Sequence, residues 1–312
     1  MSASPTGKTR SPTRSPLHTH SCVEVFISAH QAGLRADATS SVRLGHSLLR
    51  LPALVSESEC TKLLKEAAAA AEVRRRLRAS MRGPNRGRVR MPVGNFLGPD
   101  ELALCDEILR RALAHVSEVT PGLIPQQLGA ATESARAAII DNPALQWSPG
   151  EPAINSYRTG GEFLPHEDKQ RLTVLVALSD AESGAFSGGG TAFWSAEDRG
   201  SPGPPPQAPT AAATADAVAR TAFPRAQAVP PTLTVHAPAG TAVVFTGTVT
   251  HGAMPVLSGE RTVFVASFGP KGLAFDEGTG HPLFGRTRPA CAWSLGLVLS
   301  LAGIVFINAG WI

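Results

Sequence analysis

Aromatic residues are scarce. They make up 5% of the 312 residues, and Tyr157 is the only tyrosine. Cysteine is scarce too: Cys22, Cys60, Cys105 and Cys291, in a chain this long, cannot build a dense disulfide framework. None stands in a Cys-x-x-Cys pair, which argues against a structural zinc site. Neither charge sign dominates, since 29 Lys+Arg face 25 Asp+Glu for a net charge of +4. That mild balance does not by itself point to nucleic acid. No internal repeat marks a solenoid or propeller. What is abundant is glycine (30) and proline (26), about 18% of the chain against an ordinary ~12%. With 43% apolar residues, this describes a sizeable core in a turn-rich fold, one large domain or two small ones.

Residues 1–45 are rich in Ser, Thr, Pro and Arg, with Glu24 and Asp37 the only acids. This composition predicts a disordered tail or, being Arg- and Ser-rich, a transit peptide. A globular region is expected from near Gly45, spanning 46–280. Leu48, Leu49, Leu51 and Leu54 read as a short strand. Ser56-Glu57-Ser58-Glu59 is a capping box, and Cys60, Leu63, Leu64, Ala67, Ala68 and Ala71 follow at helical spacing. A second helix is expected from Asp100, with Leu102, Cys105, Ile108, Leu109, Leu113 and Val116 on one face. The run Arg74, Arg75, Arg76, Arg78, Arg82, Arg86, Arg88 and Arg90 has no interleaved aromatics for base stacking, so it reads as a solvated helix end and loop.

From residue 144 the pattern changes to short apolar or alternating runs between Gly, Pro, Asn and Asp: 152–157, 171–178, 190–194, 231–237, 241–247 and 261–268. These predict a mostly antiparallel β domain. The Pro/Ala-rich stretch 196–231 reads as a flexible insertion between two strands. Residues 290–312 are uncharged and mostly apolar, with Trp293 and Trp311 near the ends and Arg286 and Arg288 just before. As a helix of about 34 Å they would cross a ~30 Å hydrocarbon core. This suggests a C-terminal tail anchor, a transmembrane helix with the domain facing the cytoplasm. A buried helix in a soluble cytoplasmic or organellar protein is the alternative.

His166-x-Asp168 carries the chemistry. In an extended segment, residues i and i+2 face the same side, so both can reach one metal. His251 stands just after the apolar strand Thr241–Gly247. Two histidines and one carboxylate make a facial triad that holds Fe(II) and leaves positions open for a co-substrate and O2. Arg261 opens the strand Arg-Thr-Val-Phe-Val-Ala-Ser-Phe, and by period two it shares a face with Val263, Val265 and Ser267. An inward guanidinium needs an anion, and a dicarboxylate would supply one.

The ordered pattern is Ile154-Asn-x-Tyr157-x-x-Gly160-x-x-Phe163-x-x-His166-x-Asp168, then Leu172–Leu178, Gly188-Gly-Gly-Thr191, Gly240-x-x-x-x-Phe245-x-Gly247, His251 and Arg261. It resembles the iron(II)/2-oxoglutarate-dependent dioxygenases, most of all their prolyl 4-hydroxylase and lysyl hydroxylase branch. The resemblance covers roughly residues 45–270. It implies a mainly β fold with flanking helices, whose core is a double-stranded β-helix or jelly roll. It implies His166, Asp168 and His251 as the catalytic iron ligands. Arg261 and Tyr157 would bind the distal carboxylate of 2-oxoglutarate, and Thr191 would line that pocket. Implied with these are Fe(II), 2-oxoglutarate, O2, ascorbate as reductant, and hydroxylation of an unactivated C–H with release of succinate and CO2. The substrate would be a peptidyl side chain (Pro or Lys) or a small molecule. Collagen-type prolyl 4-hydroxylases usually carry Lys where this chain has Arg261, and many have an aromatic where Ser267 stands. A nucleic-acid demethylase would carry a second arginine at Ser267, which argues against a nucleic-acid substrate. The competing reading from another class is a non-catalytic, membrane-anchored jelly-roll binding module or metal sensor.

Overall fold

A computed structural model describes residues 22–33, 37–78, 87–129, 138–168, 170–195 and 230–272. In chain order the elements are β1 (Val23–Phe26), α1 (Ala29–Ala32), α2 (Ala38–Arg43), β2 (Ser47–Leu51), α3 (Glu57–Arg78), β3 (Arg88–Pro92), a short 3-10 turn, α4 (Pro99–Val119) and α5 (Leu123–Leu128). There follow β4 (Leu145–Trp147), β5 (Ala153–Arg158), β6 (Phe163–His166), β7 (Leu172–Ala177), β8 (Phe186–Gly188), β9 (Thr191–Trp194), β10 (Leu233–Val235), β11 (Ala242–Thr246), β12 (Thr250–Ala253) and β13 (Val256–Pro270).

The strands form two antiparallel sheets. The larger runs β1-β2-β11-β7-β13-β5-β3, with β4 and β8 also pairing with β13; the smaller runs β10-β9-β12-β6. β7 shows how they are layered. All six of its residues are buried. Leu172, Val174 and Val176 join the helix-side core with Leu63, Ala67, Ile108 and Leu109, whereas Leu175 faces the small sheet with Phe193, Phe245 and Val263. A strand covered on both faces has no polar alternation to keep, so it reads as one apolar run. The helices thus cover the back of the large sheet, and its front faces the small sheet. This is the expected jelly-roll core with flanking helices.

The folded region starts earlier than Gly45. β1 pairs with β2 over Val23↔Arg50 to Phe26↔Ser47, and the Ser47 hydroxyl donates to Glu24 at 2.6 Å. Asp37 is the N-cap of α2, accepting from the Ser40 amide at 3.0 Å. The two acids in that Arg- and Ser-rich stretch thus mark its structured part. Residues 1–21 and 196–229 lie outside the described residues. Just beyond the second gap, Leu233 pairs with Phe193, which brings the ends of the insertion side by side.

The tail-anchor reading is corrected. No helix among the described residues is long and apolar enough to cross a membrane. The longest, α3 and α4, carry charges along their length. Residues 290–312 themselves lie outside the described residues, and the membrane assignment is not carried further.

The capping box forms as expected: the Ser56 amide donates to Glu59 at 2.8 Å, and the Glu59 amide donates to the Ser56 hydroxyl at 3.3 Å. Arg111 of α4 adds two hydrogen bonds to the same carboxylate, tying the start of α3 to α4. Arg111, followed by the Ser56 hydrogen bonds, holds Glu59 down at about 2 against an ordinary 4.5. The depressed value stabilises the fold fully above pH ~4.5, and this is lost as pH falls through about 2. Glu59→Gln should therefore lower stability by about 1 kcal/mol at pH 7, the gap closing toward pH 2 in denaturant titrations at stepped pH.

Candidate active site

The small sheet presents two of the three expected ligands. β12 and β6 are neighbours, and His251 stands directly opposite His166. Asp168 follows β6 by two residues. The ligand atoms of His166, Asp168 and His251 all lie within 4.8 Å of one another. Each histidine Nε2 is 3.7 Å from a different Asp168 oxygen. Each Nδ1 lies beside a backbone carbonyl, Leu164 O at 2.9 Å and Val249 O at 3.0 Å. That partner fixes the proton on Nδ1 and turns the Nε2 lone pair to the centre. Two imidazole lone pairs and a carboxylate facing one point repel each other unless a cation lies between them. The donor set therefore fits a metal, and its mixed N/O character fits Fe(II).

The surroundings support this. Thr173 Oγ1 donates to Asp168 at 2.5 Å and orients it. Phe245 packs on His251 at 4.6 Å and Phe163 on His166 at 4.2 Å. Burial, then the neighbouring His251, pushes His166 below its ordinary value, which favours the neutral ligand form. Burial works upward on Asp168, but the two histidines and Thr173 outweigh it, and its carboxyl is held low. The side chains of His251 and Asp168 are 7% and 10% exposed against 29% for His166, so the site opens beside His166.

Across the cavity lies Arg261, 6% exposed, whose Nη2 donates to Thr191 Oγ1 at 2.8 Å. β13 pairs with β5 so that Arg261 stands opposite Tyr157, whose ring centre is 5.6 Å from the guanidinium. Burial pulls the Arg261 pKa down. The glycine run leading into Thr191 makes room here: a Cβ on Gly189 (φ +67°) would lie 3.1 Å from Arg261 Cδ, and one on Gly190 (φ +100°) 2.9 Å from Thr234 Cγ2. A cavity of about 420 Å3, its open mouth included, touches all six expected residues: Tyr157, His166, Asp168, Thr191, His251 and Arg261.

Several cavity residues escape a reading by motif. The arginine run is not wholly a solvated helix end. Arg74, Arg75 and Arg76 belong to α3, and Arg75 pairs with Glu260 at 2.6 Å. Arg88 and Arg90 sit on β3 opposite Tyr157 and Asn155. Arg90 lines the cavity and pairs with the buried Glu151, whose other oxygen accepts from the Ser267 amide. Burial, then the Asp168 charge, pushes Glu151 up to about 7. The alternation Arg88-Val-Arg90-Met was the available signal, because Val89 and Met91 enter the helix-side core and leave the arginines facing inward.

No protein-family model matches the chain, and no curated protein matches it. Solved structures do. The viral collagen prolyl hydroxylase of Paramecium Bursaria Chlorella virus-1, in its 2-oxoglutarate complex, is 15% identical, with 70% of this chain and 93% of that chain covered and a TM-score of 0.38. HygX from Streptomyces hygroscopicus, with nickel, 2-oxoglutarate and hygromycin B bound, is 14% identical, with 73% and 84% covered and a TM-score of 0.41. A Pseudomonas putida prolyl-4-hydroxylase is 13% identical, with 75% and 100% covered and a TM-score of 0.39. The likeness is to iron(II)/2-oxoglutarate oxygenases. At these identities and scores it assigns no residue a role; the roles below rest on the geometry.

Proposed function

We propose that this chain is an Fe(II)- and 2-oxoglutarate-dependent dioxygenase that hydroxylates an unactivated C–H. A peptidyl proline or lysine side chain is the first substrate class to test, and a small molecule the second. One observation carries the reading: a His-Asp-His cluster and a buried arginine with no carboxylate partner among the described residues line the same cavity. A binding module or metal sensor without turnover would have no use for the second half of that arrangement.

His166, Asp168 and His251 would hold the iron. When bound, iron and 2-oxoglutarate supply the oxidising chemistry, with succinate and CO2 as by-products and ascorbate as the expected reductant. The residues do the rest. Arg261 takes the distal carboxylate of the co-substrate, and Thr191 holds the guanidinium in place. Tyr157 offers its hydroxyl beside it. Phe163, Phe245 and Phe193 keep water from the ligands, since all three rings pack against the histidines. In low dielectric the Arg261–carboxylate attraction is stronger than in water.

The test is anaerobic addition of Fe(II) and 2-oxoglutarate, which should produce a visible charge-transfer absorption that His166→Ala abolishes. If wild-type protein shows no such absorption, or His166→Ala retains it, the proposal fails. Under oxygen, succinate release against Pro-, Lys- and Asn-containing peptides and small metabolites identifies the substrate class. Thr173→Val leaves Asp168 in place but frees its carboxylate to turn; it should weaken Fe(II) binding about tenfold by calorimetry.

A further inference from the structure

Among the described residues two arginines are buried, Arg88 at 9% and Arg261 at 6% exposure. Among the described residues neither has a carboxylate within ion-pair distance, whereas Arg75, Arg90, Arg111 and Arg158 all do. The co-substrate has one distal carboxylate, which the reading above gives to Arg261. Arg88 is left over. It sits on β3 on the far side of Tyr157 from Arg261, the two flanking the tyrosine from adjacent strands. Their guanidinium carbons lie 5.9 and 5.6 Å from the Tyr157 ring centre. The Arg88 guanidinium stacks 3.5 Å from the Phe163 ring centre, and Phe163 stacks on His166, the more exposed ligand. Its Nε has no hydrogen-bond partner, while the guanidinium also meets the Tyr157 side chain. Ring contact offsets only part of the cost of burying a cation. Arg90 and Arg261 line the cavity with Glu151 and Asp168, and Arg88 borders it from behind Phe163 and Tyr157, which do line it.

We propose that Arg88 binds a carboxylate carried by the substrate that is hydroxylated, at the open, His166 side of the site. This rests on the function proposed above. The carboxylate comes either from a free amino acid or from an acidic side chain in a peptide.

The experiment measures binding by calorimetry to anaerobic protein loaded with Fe(II) and 2-oxoglutarate. The probes are matched pairs: L-proline and L-prolinamide, L-lysine and L-lysinamide, and the acetylated, amidated dipeptides Asp-Pro and Asn-Pro. The acid of at least one pair should bind about 10- to 100-fold tighter than its amide. The first two pairs report a free α-carboxylate and the third an acidic side chain. Arg88→Gln should remove that preference and Arg88→Lys retain part of it, with 2-oxoglutarate affinity changed less than about tenfold in both, well short of Arg261→Gln. Four results overturn the proposal: acids that bind no tighter than their amides, no acid binding at all, a preference that survives Arg88→Gln, or a loss of 2-oxoglutarate affinity in Arg88→Gln as large as in Arg261→Gln. The wild-type acid–amide comparison decides the matter even if Arg88→Gln does not fold. If 2-oxoglutarate does not bind wild-type protein, the proposed function fails separately, and the same pairs titrated with metal alone still report on Arg88.

Discussion

Asp168→Ala is expected to weaken Fe(II) binding by more than about 1,000-fold and to end succinate formation. Removing a partner that merely orients a ligand costs about 10- to 100-fold in metal affinity, so removing a ligand must cost more. Asp168 is also the only anion of the three, and without it two neutral imidazoles would share a dication. The backbone pairing of β6 with β12 does not use its side chain, so the fold should survive, as circular dichroism would show. Metal affinity by calorimetry is the direct check. Asp168→Ala protein that binds Fe(II) within tenfold of the parent would remove Asp168 from the ligand set.

Arg261→Gln should raise the dissociation constant for 2-oxoglutarate by about 100-fold or more, since an ion pair lost in a buried site costs 2–5 kcal/mol. Arg261→Lys should fall between, because lysine keeps the charge and loses the fork. Tyr157→Phe removes a single hydroxyl and should cost only about 2- to 10-fold. The apoprotein is the informative control. A buried guanidinium whose one side-chain hydrogen bond among the described residues is to Thr191 does not stabilise the empty fold, so Arg261→Gln should leave the thermal midpoint of the ligand-free protein unchanged or higher. Arg261→Gln protein that unfolds early and binds 2-oxoglutarate normally would make Arg261 a packing residue.

How much of this was legible beforehand depended on apolar content. β7 and β11 are buried on both faces, and their mostly apolar runs announced them. β6 and β12 did not announce themselves. Phe163-Leu-Pro-His166 and Thr250-His-Gly-Ala253 are four residues each and partly polar, because one face of each serves the site rather than a core. The strands that carry the histidines were therefore the ones a periodicity reading passed over, although the histidines themselves were visible through motif spacing. β1 was hidden differently: its Val23 and Val25, with Ile27 just beyond, were submerged in a Ser-, Pro- and Arg-rich context.

The residue order alone determined the helices α3 and α4, the apolar strands β7, β9, β11 and β13, the capping box at Ser56, the ligand candidates His166, Asp168 and His251, and the inward face of Arg261, because each follows from local spacing along the chain. Only the tertiary structure decided which side chains share one cavity and which charges find partners within it. Arg75 and Arg88 look alike in an arginine run. One meets Glu260, some 185 residues away, and is neutralised; the other faces Phe163 with no carboxylate beside it among the described residues. Whether a buried charge is paired depends on contacts between distant strands, and no local pattern records them.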